Sequence, residues 1–103
     1  MSSAAEKAME EWRRKIDEID RQLIALLNER SKCALEIGKL KRRNNIAIYQ
    51  PEREREVLEN AERANNGPLA DTAIRRLFER ILDEARSLER QERSEEPGDA
   101  KTP

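Results

Sequence analysis

The sequence contains no histidine, a single cysteine, three glycines and one each of tryptophan, tyrosine and phenylalanine. Each shortage excludes something. Without histidine, the side chain that most often serves as general base or metal ligand near neutral pH is missing. One cysteine excludes an intrachain disulfide framework, and no cluster with metal-ligand spacing is present. Aromatics at 3% of residues leave a sheet without the side chains that pair best across strands. The opening MSSAAEKAMEEW lacks the apolar core of a signal peptide, and no stretch approaches a membrane span. A cytoplasmic protein is expected. A net charge of −1 supplies no basic field for nucleic acid.

What the chain has instead is charge. Asp, Glu, Lys and Arg make up 42% and apolar residues 36%, against roughly a quarter and a half in ordinary domains. Such a composition suits long helices with solvated faces, and 103 residues suit one small domain. From Met9 to Arg43 a seam runs through Met9, Trp12, Ile16, Ile19, Leu23, Leu26, Arg30, Cys33, Ile37 and Leu40. The alternating steps of three and four mark a helix packed against helices. Nine of the ten positions are uncharged, Cys33 among them as an expected packed thiol, and the tenth is Arg30. A guanidinium on an apolar stripe must find an anion or remain costly to desolvate.

These 35 residues would span roughly 50 Å, whereas a compact chain of this size has a radius of gyration near ~13 Å. Part of the helix must therefore lie on a second copy, and a dimer is expected. Residues 1–5 are read as frayed, with Ser2 or Ser3 as cap, and Asn44-Asn45 as the stop. Pro51 opens a second helix to about Ala64, amphipathic through Val57, Leu58 and Ala61, before the breaker Asn65-Asn66-Gly67-Pro68. Asp71 should cap a third, whose buried face is Ile74, Leu77, Phe78, Ile81, Leu82, Ala85 and Leu88. The domain is read as residues 1–90, and 91–103 as a disordered polar tail. The fold class is all-α, with one long, one short and one medium helix.

Helix geometry sorts the cations. At ~100° per residue, Lys41 lies about 20° around the axis from Arg30, while Lys39 and Arg42 lie about 180° and 120° away. Arg30 and Lys41 are roughly 16 Å apart along the axis, room for a small dianion between two bent side chains. A solvated Lys41, or an Arg30 paired with a glutamate of the second helix, are the plainer readings. Arg13 lies about 25 Å from Arg30 and cannot serve the same pocket in its own chain. If two first helices pair antiparallel about Leu23–Ile24, the second copy's Arg13 falls between Arg30 and Lys41, giving two identical pockets. Arg53 and Glu54 open the second helix near that end. Glu89 continues the third helix's buried face, either as the first residue past the core or as a pocket group.

These residues carry a likeness. W-R-R-K-I-D-E-I-D-R-Q-L-I-A-L-L-N-E-R, E-I-G-K-L-K, Q-P-E-R-E-R-E-V-L and I-R-R-L-F-E-R-I-L follow one another in order and spacing over residues 10 to about 90. The chain resembles the all-helical (AroQ-type) chorismate mutases. The resemblance implies an intertwined antiparallel homodimer of three-helix chains. It also implies an isomerase that rearranges chorismate to prephenate, on the route to phenylalanine and tyrosine. It implies that Arg13 comes from the second subunit, that Arg30 binds a carboxylate, and that Lys41 bonds a carboxylate and the breaking ether oxygen. It implies a further pocket arginine at Arg53 and an acid for the ring hydroxyl at Glu54. Gln50 stands where an aspartate often supports that hydroxyl, Ala85 where a serine often bonds a carboxylate, and Glu89 where a glutamine often faces the ether oxygen.

A pericyclic rearrangement requires no nucleophile, metal or redox cofactor, and none is implied. Clamped carboxylates hold the substrate folded. Donors at the ether oxygen, Lys41 and Glu89, stabilise the charge that develops there. A glutamate donates only when protonated, so Glu89 is expected to be held in its acid form in the complex by burial and the substrate's charge, against the pull of Lys41. Two other readings stand beside this one: an isochorismate-pyruvate lyase of the same fold, and a non-catalytic helical dimerisation module. Glu54 after Arg53 favours the mutase. The sequence is silent on feedback regulation and on activation by another shikimate-pathway enzyme.

Overall fold

The computed structural model describes residues 3–95, which form three helices and, among the described residues, no strand. Helix α1 runs Ala4–Arg43, α2 Pro51–Ala64 and α3 Asp71–Glu95. The expected order of long, short and medium helices holds. No helix among the described residues is long and apolar enough to cross a membrane.

The chain divides into two compact units, 1–32 and 33–103. The first is helical from Ala4 onward and begins with a reciprocal cap. The Ser3 amide donates to Glu6 Oε1 at 2.9 Å, and the Glu6 amide donates to Ser3 Oγ at 3.0 Å. Two amides that a helix start leaves unpaired are thereby satisfied. Between Met9 and Leu26 the seam is open: Met9, Trp12, Ile16, Ile19, Leu23 and Leu26 are 46–63% exposed.

The second unit holds the last turns of α1, then α2 and α3. Asn45 ends α1 in the left-handed region, with φ of 56°. The Ile46 amide donates to Lys41 O at 2.8 Å and the Asn45 amide to Arg42 O at 3.3 Å, the paired closure of a Schellman cap with asparagine in the usual glycine place. Pro51 stands at the start of α2, where its missing N–H costs nothing. Asn65 shapes the next turn: its Oδ1 accepts from the Gly67 amide, and its Nδ2 donates to Leu69 O and Asp71 Oδ1.

Helices α2 and α3 pack together. Glu54 pairs with Arg86 and Glu62 with Arg75, so partners on α3 retreat as α2 advances, the sign of an antiparallel pair. Leu58 and Leu82 are the buried apolar residues of this pair, with Ala34 from α1. That core is thin, and no described side chain is fully buried.

Four expectations are corrected. Cys33 is exposed rather than packed, because its stripe of α1 is uncovered in the single chain. Leu77 is 53% exposed, since it lies about 140° around α3 from Leu82, off the face that meets α2. Asp71 is the first helical residue, with Ala70 at the cap position accepting from the Ile74 amide. Finally, α3 continues through 91–95 instead of giving way to the tail. Gln91, Glu92, Arg93 and Glu95 are good helix formers. The rest of the expected tail, 96–103, lies outside the described residues.

Candidate active site

The last turn of α1 sends Lys41 toward α3. Lys41 Nζ donates to Glu89 Oε1 at 3.2 Å and to the Ile48 carbonyl at 2.7 Å. Glu89 is the one buried charged residue among those described, and the Lys41 side chain is 15% exposed. Gly38 makes the approach possible. A methyl group there would stand 3.1 Å from Glu89 Cγ and 3.5 Å from its Oε1. The ammonium carries three N–H groups and spends two on the protein, which leaves one for a ligand. Glu89 Oε2 has no hydrogen-bond partner among the described residues. A buried carboxylate oxygen without a donor is an uncommon arrangement, suited to meeting a ligand.

One turn back along α3 lies a second pair. Arg86 Nη1 donates to both oxygens of Glu54, and Nη2 donates to Asp83 Oδ1. The guanidinium carbon sits 5.4 Å from the centroid of the Tyr49 ring. The hydrogen bonds that Arg86 donates to Glu54 outweigh partial desolvation and raise the Arg86 pKa above its ordinary value. Sequence reading missed Arg86. The available signal was its place one turn beyond Leu82 on the face that also holds Glu89.

The remaining expected residues are distributed as follows. Gln50 caps α2 through its backbone carbonyl, which accepts from the Glu54 amide at 3.0 Å, while its side chain donates to Ala47 O at 2.9 Å. Ala85 is half-buried on α3, one turn before Glu89, and offers no donor. Arg53 points to solvent and pairs along its own helix with Glu56 at 2.6 Å. In the first unit, Arg13 is exposed beside Glu10 at 3.6 Å. Arg30 is half-buried and has no hydrogen-bond or ion-pair partner among the described residues. The structure thus brings Lys41 and Glu89 together and leaves Arg13 and Arg53 on the surface of the single chain.

These features define an all-helical protein in which two shielded cation–carboxylate pairs, Lys41 with Glu89 and Arg86 with Glu54, each take one member from adjacent turns of α3. Comparison with known proteins places it more narrowly. The family model described as chorismate mutase type II matches residues 12–90, and the chain belongs to that family. It is similar to the bifunctional chorismate mutase/prephenate dehydratase of Neisseria gonorrhoeae, with 40% identity over 90 residues, covering 87% of this chain and 24% of that protein. The chain therefore spans about a quarter of the length of such bifunctional relatives. Among solved structures, chorismate mutase (form II) from Thermus thermophilus matches with a TM-score of 0.80 and 33% identity, over 82% of this chain and 96% of that one. The Helicobacter pylori chorismate mutase in complex with prephenate matches with a TM-score of 0.81 and 26% identity, over 87% and 98%.

Proposed function

We infer that this chain isomerises chorismate to prephenate, as a cytoplasmic homodimer with a site built from both subunits. The observation that carries the reading is the family match across residues 12–90. The site chemistry supports it. Lys41 has an N–H to offer the ether oxygen and a carboxylate of the substrate. Glu89, which accepts from Lys41, lines the same ether-oxygen side of the pocket. Arg30, half-buried and unpaired among the described residues, clamps a carboxylate. Together they hold the enolpyruvyl arm over the ring, so that torsional freedom is lost on binding and not at the barrier. Glu54 accepts the ring hydroxyl with Gln50 beside it, Arg53 is a further pocket arginine, and Ala85 stands without a donor where a carboxylate is bound.

The dimer reading rests on the open seam. Eight large seam residues from Met9 to Leu40 are 46–63% exposed in the single chain. At about 1.5–3 kcal/mol for full burial of each, covering the exposed half gives roughly 1 kcal/mol apiece. On the order of 8 kcal/mol per chain is comparable to the whole stability of a small domain, about 5–15 kcal/mol. A second antiparallel α1 centred on Leu23–Ile24 covers this stripe and delivers its Arg13 between Arg30 and Lys41.

The test is to incubate the purified protein separately with chorismate and with isochorismate and to identify the products. Prephenate from chorismate is expected. Pyruvate released from isochorismate would mark the lyase, and turnover of neither would leave a helical dimerisation module.

A further inference from the structure

Glu54 poses an electrostatic difficulty within this reading of the pocket. A bare carboxylate facing a dianionic guest repels it, yet the same group must accept the guest's hydroxyl. It also sits in the first turn of α2 on a flexible side chain that could turn to water. Both problems are met by one residue outside the expected set. We propose that Arg86 is a positioning residue for substrate recognition: it fixes the Glu54 carboxylate in place and offsets its charge, so that Glu54 receives the ring hydroxyl of the substrate.

The geometry supports this in three ways. Arg86 Nη1 reaches both oxygens of Glu54, which fixes the carboxylate plane by two contacts instead of one. Two carboxylate oxygens offer about four lone-pair directions, so a clamp that uses one on each leaves acceptor capacity for a hydroxyl. The clamp is itself held, because Nη2 is tied to Asp83 and the guanidinium lies against the Tyr49 ring. Guanidinium is planar and permanently charged, which makes it suited to orienting a carboxylate at any working pH. Both side chains are 20% exposed, whereas the other tie between α2 and α3, Arg75 with Glu62, is 42% and 29% exposed. A tie needed only for packing would not have to be the better shielded one. Arg86 also stands one turn from Glu89 on α3, so the hydroxyl-binding and ether-binding ends of the pocket are set by one rigid element.

The inference rests on the chorismate mutase reading, and the experiment separates the two. Steady-state constants for chorismate are measured for the full chain and for Arg86→Leu, Arg86→Lys, Glu54→Gln and the double variant Arg86→Leu/Glu54→Gln. Arg86→Leu is expected to raise KM by about tenfold with kcat changed less than about threefold, since a binding contact shared by ground and transition states is weakened. Arg86→Lys should restore part of that loss. In the Glu54→Gln background, Arg86→Leu should add less than about twofold, because the group it positions is already altered. If Arg86→Leu does not fold, Arg86→Lys in both backgrounds gives the same comparison. Wild-type constants for Arg86→Leu, or losses that multiply in the double variant, would overturn the proposal while leaving the mutase reading intact. Absence of turnover by the unmodified protein would overturn both.

Discussion

Lys41 and Glu89 each carry a charge into a poorly solvated place, and such a pair gives a chain little net stability. On the proposed reading its use is chemical. Replacing Lys41 by Met, or Arg30 by Ala, should lower kcat/KM for chorismate by at least ~10²-fold, the scale of losing one donor to a developing oxyanion. Steady-state kinetics beside a circular dichroism spectrum checks this, and a loss under tenfold would show the site to be misplaced. Glu89 accepts from Lys41 in the free protein, and on the proposed reading it lines the ether-oxygen side of the pocket. Glu89→Gln, whose amide can donate, should keep kcat/KM within about tenfold of wild type, whereas Glu89→Ala should lower it by at least ~10²-fold. Equal losses for Glu89→Gln and Glu89→Ala would contradict a hydrogen-bonding role at this position. Lys41 and Glu89 were legible in the sequence because each is fixed by the period of its own helix. Arg86 was not, because its partner depends on how α2 slides along α3, and apolar spacing leaves that register undetermined.

Element boundaries were legible where backbone chemistry sets them. Asn44-Asn45 and Pro51 marked the end of α1 and the start of α2 because a left-handed residue and a missing N–H act locally. The end of α3 was misread for the opposite reason. Loss of apolar residues after Leu88 signals loss of burial, but helix continuation depends on propensity, which runs on to Glu95. Leu77 was misplaced because a wide apolar stripe does not say which edge a single neighbour covers. The α1 cap yields its own prediction. Asn45→Ala should destabilise the protein by about 1 kcal/mol, because a Cβ residue without a polar side chain is strained at that φ, while Asn45→Gly should not. Urea melts at one fixed protein concentration would show it, and equal midpoints for Asn45→Ala and Asn45→Gly would contradict it.

At the scale of the whole molecule, the chain has a thin core and a long uncovered stripe. The seam and its one guanidinium were readable from spacing, the resemblance followed from motif order over residues 10 to about 90, and the family model matches 12–90. The sequence could not indicate which faces stay open in one chain, since the a/d pattern is the same for a partner in cis or in trans. On the proposed arrangement, each pocket takes Lys41 from one subunit and Arg13 from the other, and neither subunit is complete alone. Co-expressing Arg13→Ala and Lys41→Met chains with different tags, and purifying dimers that hold both, puts this to a direct test. Both altered homodimers should be nearly inactive. The mixed dimer contains one pocket with both substitutions and one with neither, so it should regain about half of the wild-type turnover of chorismate. A mixed dimer no more active than its parents would contradict the shared site.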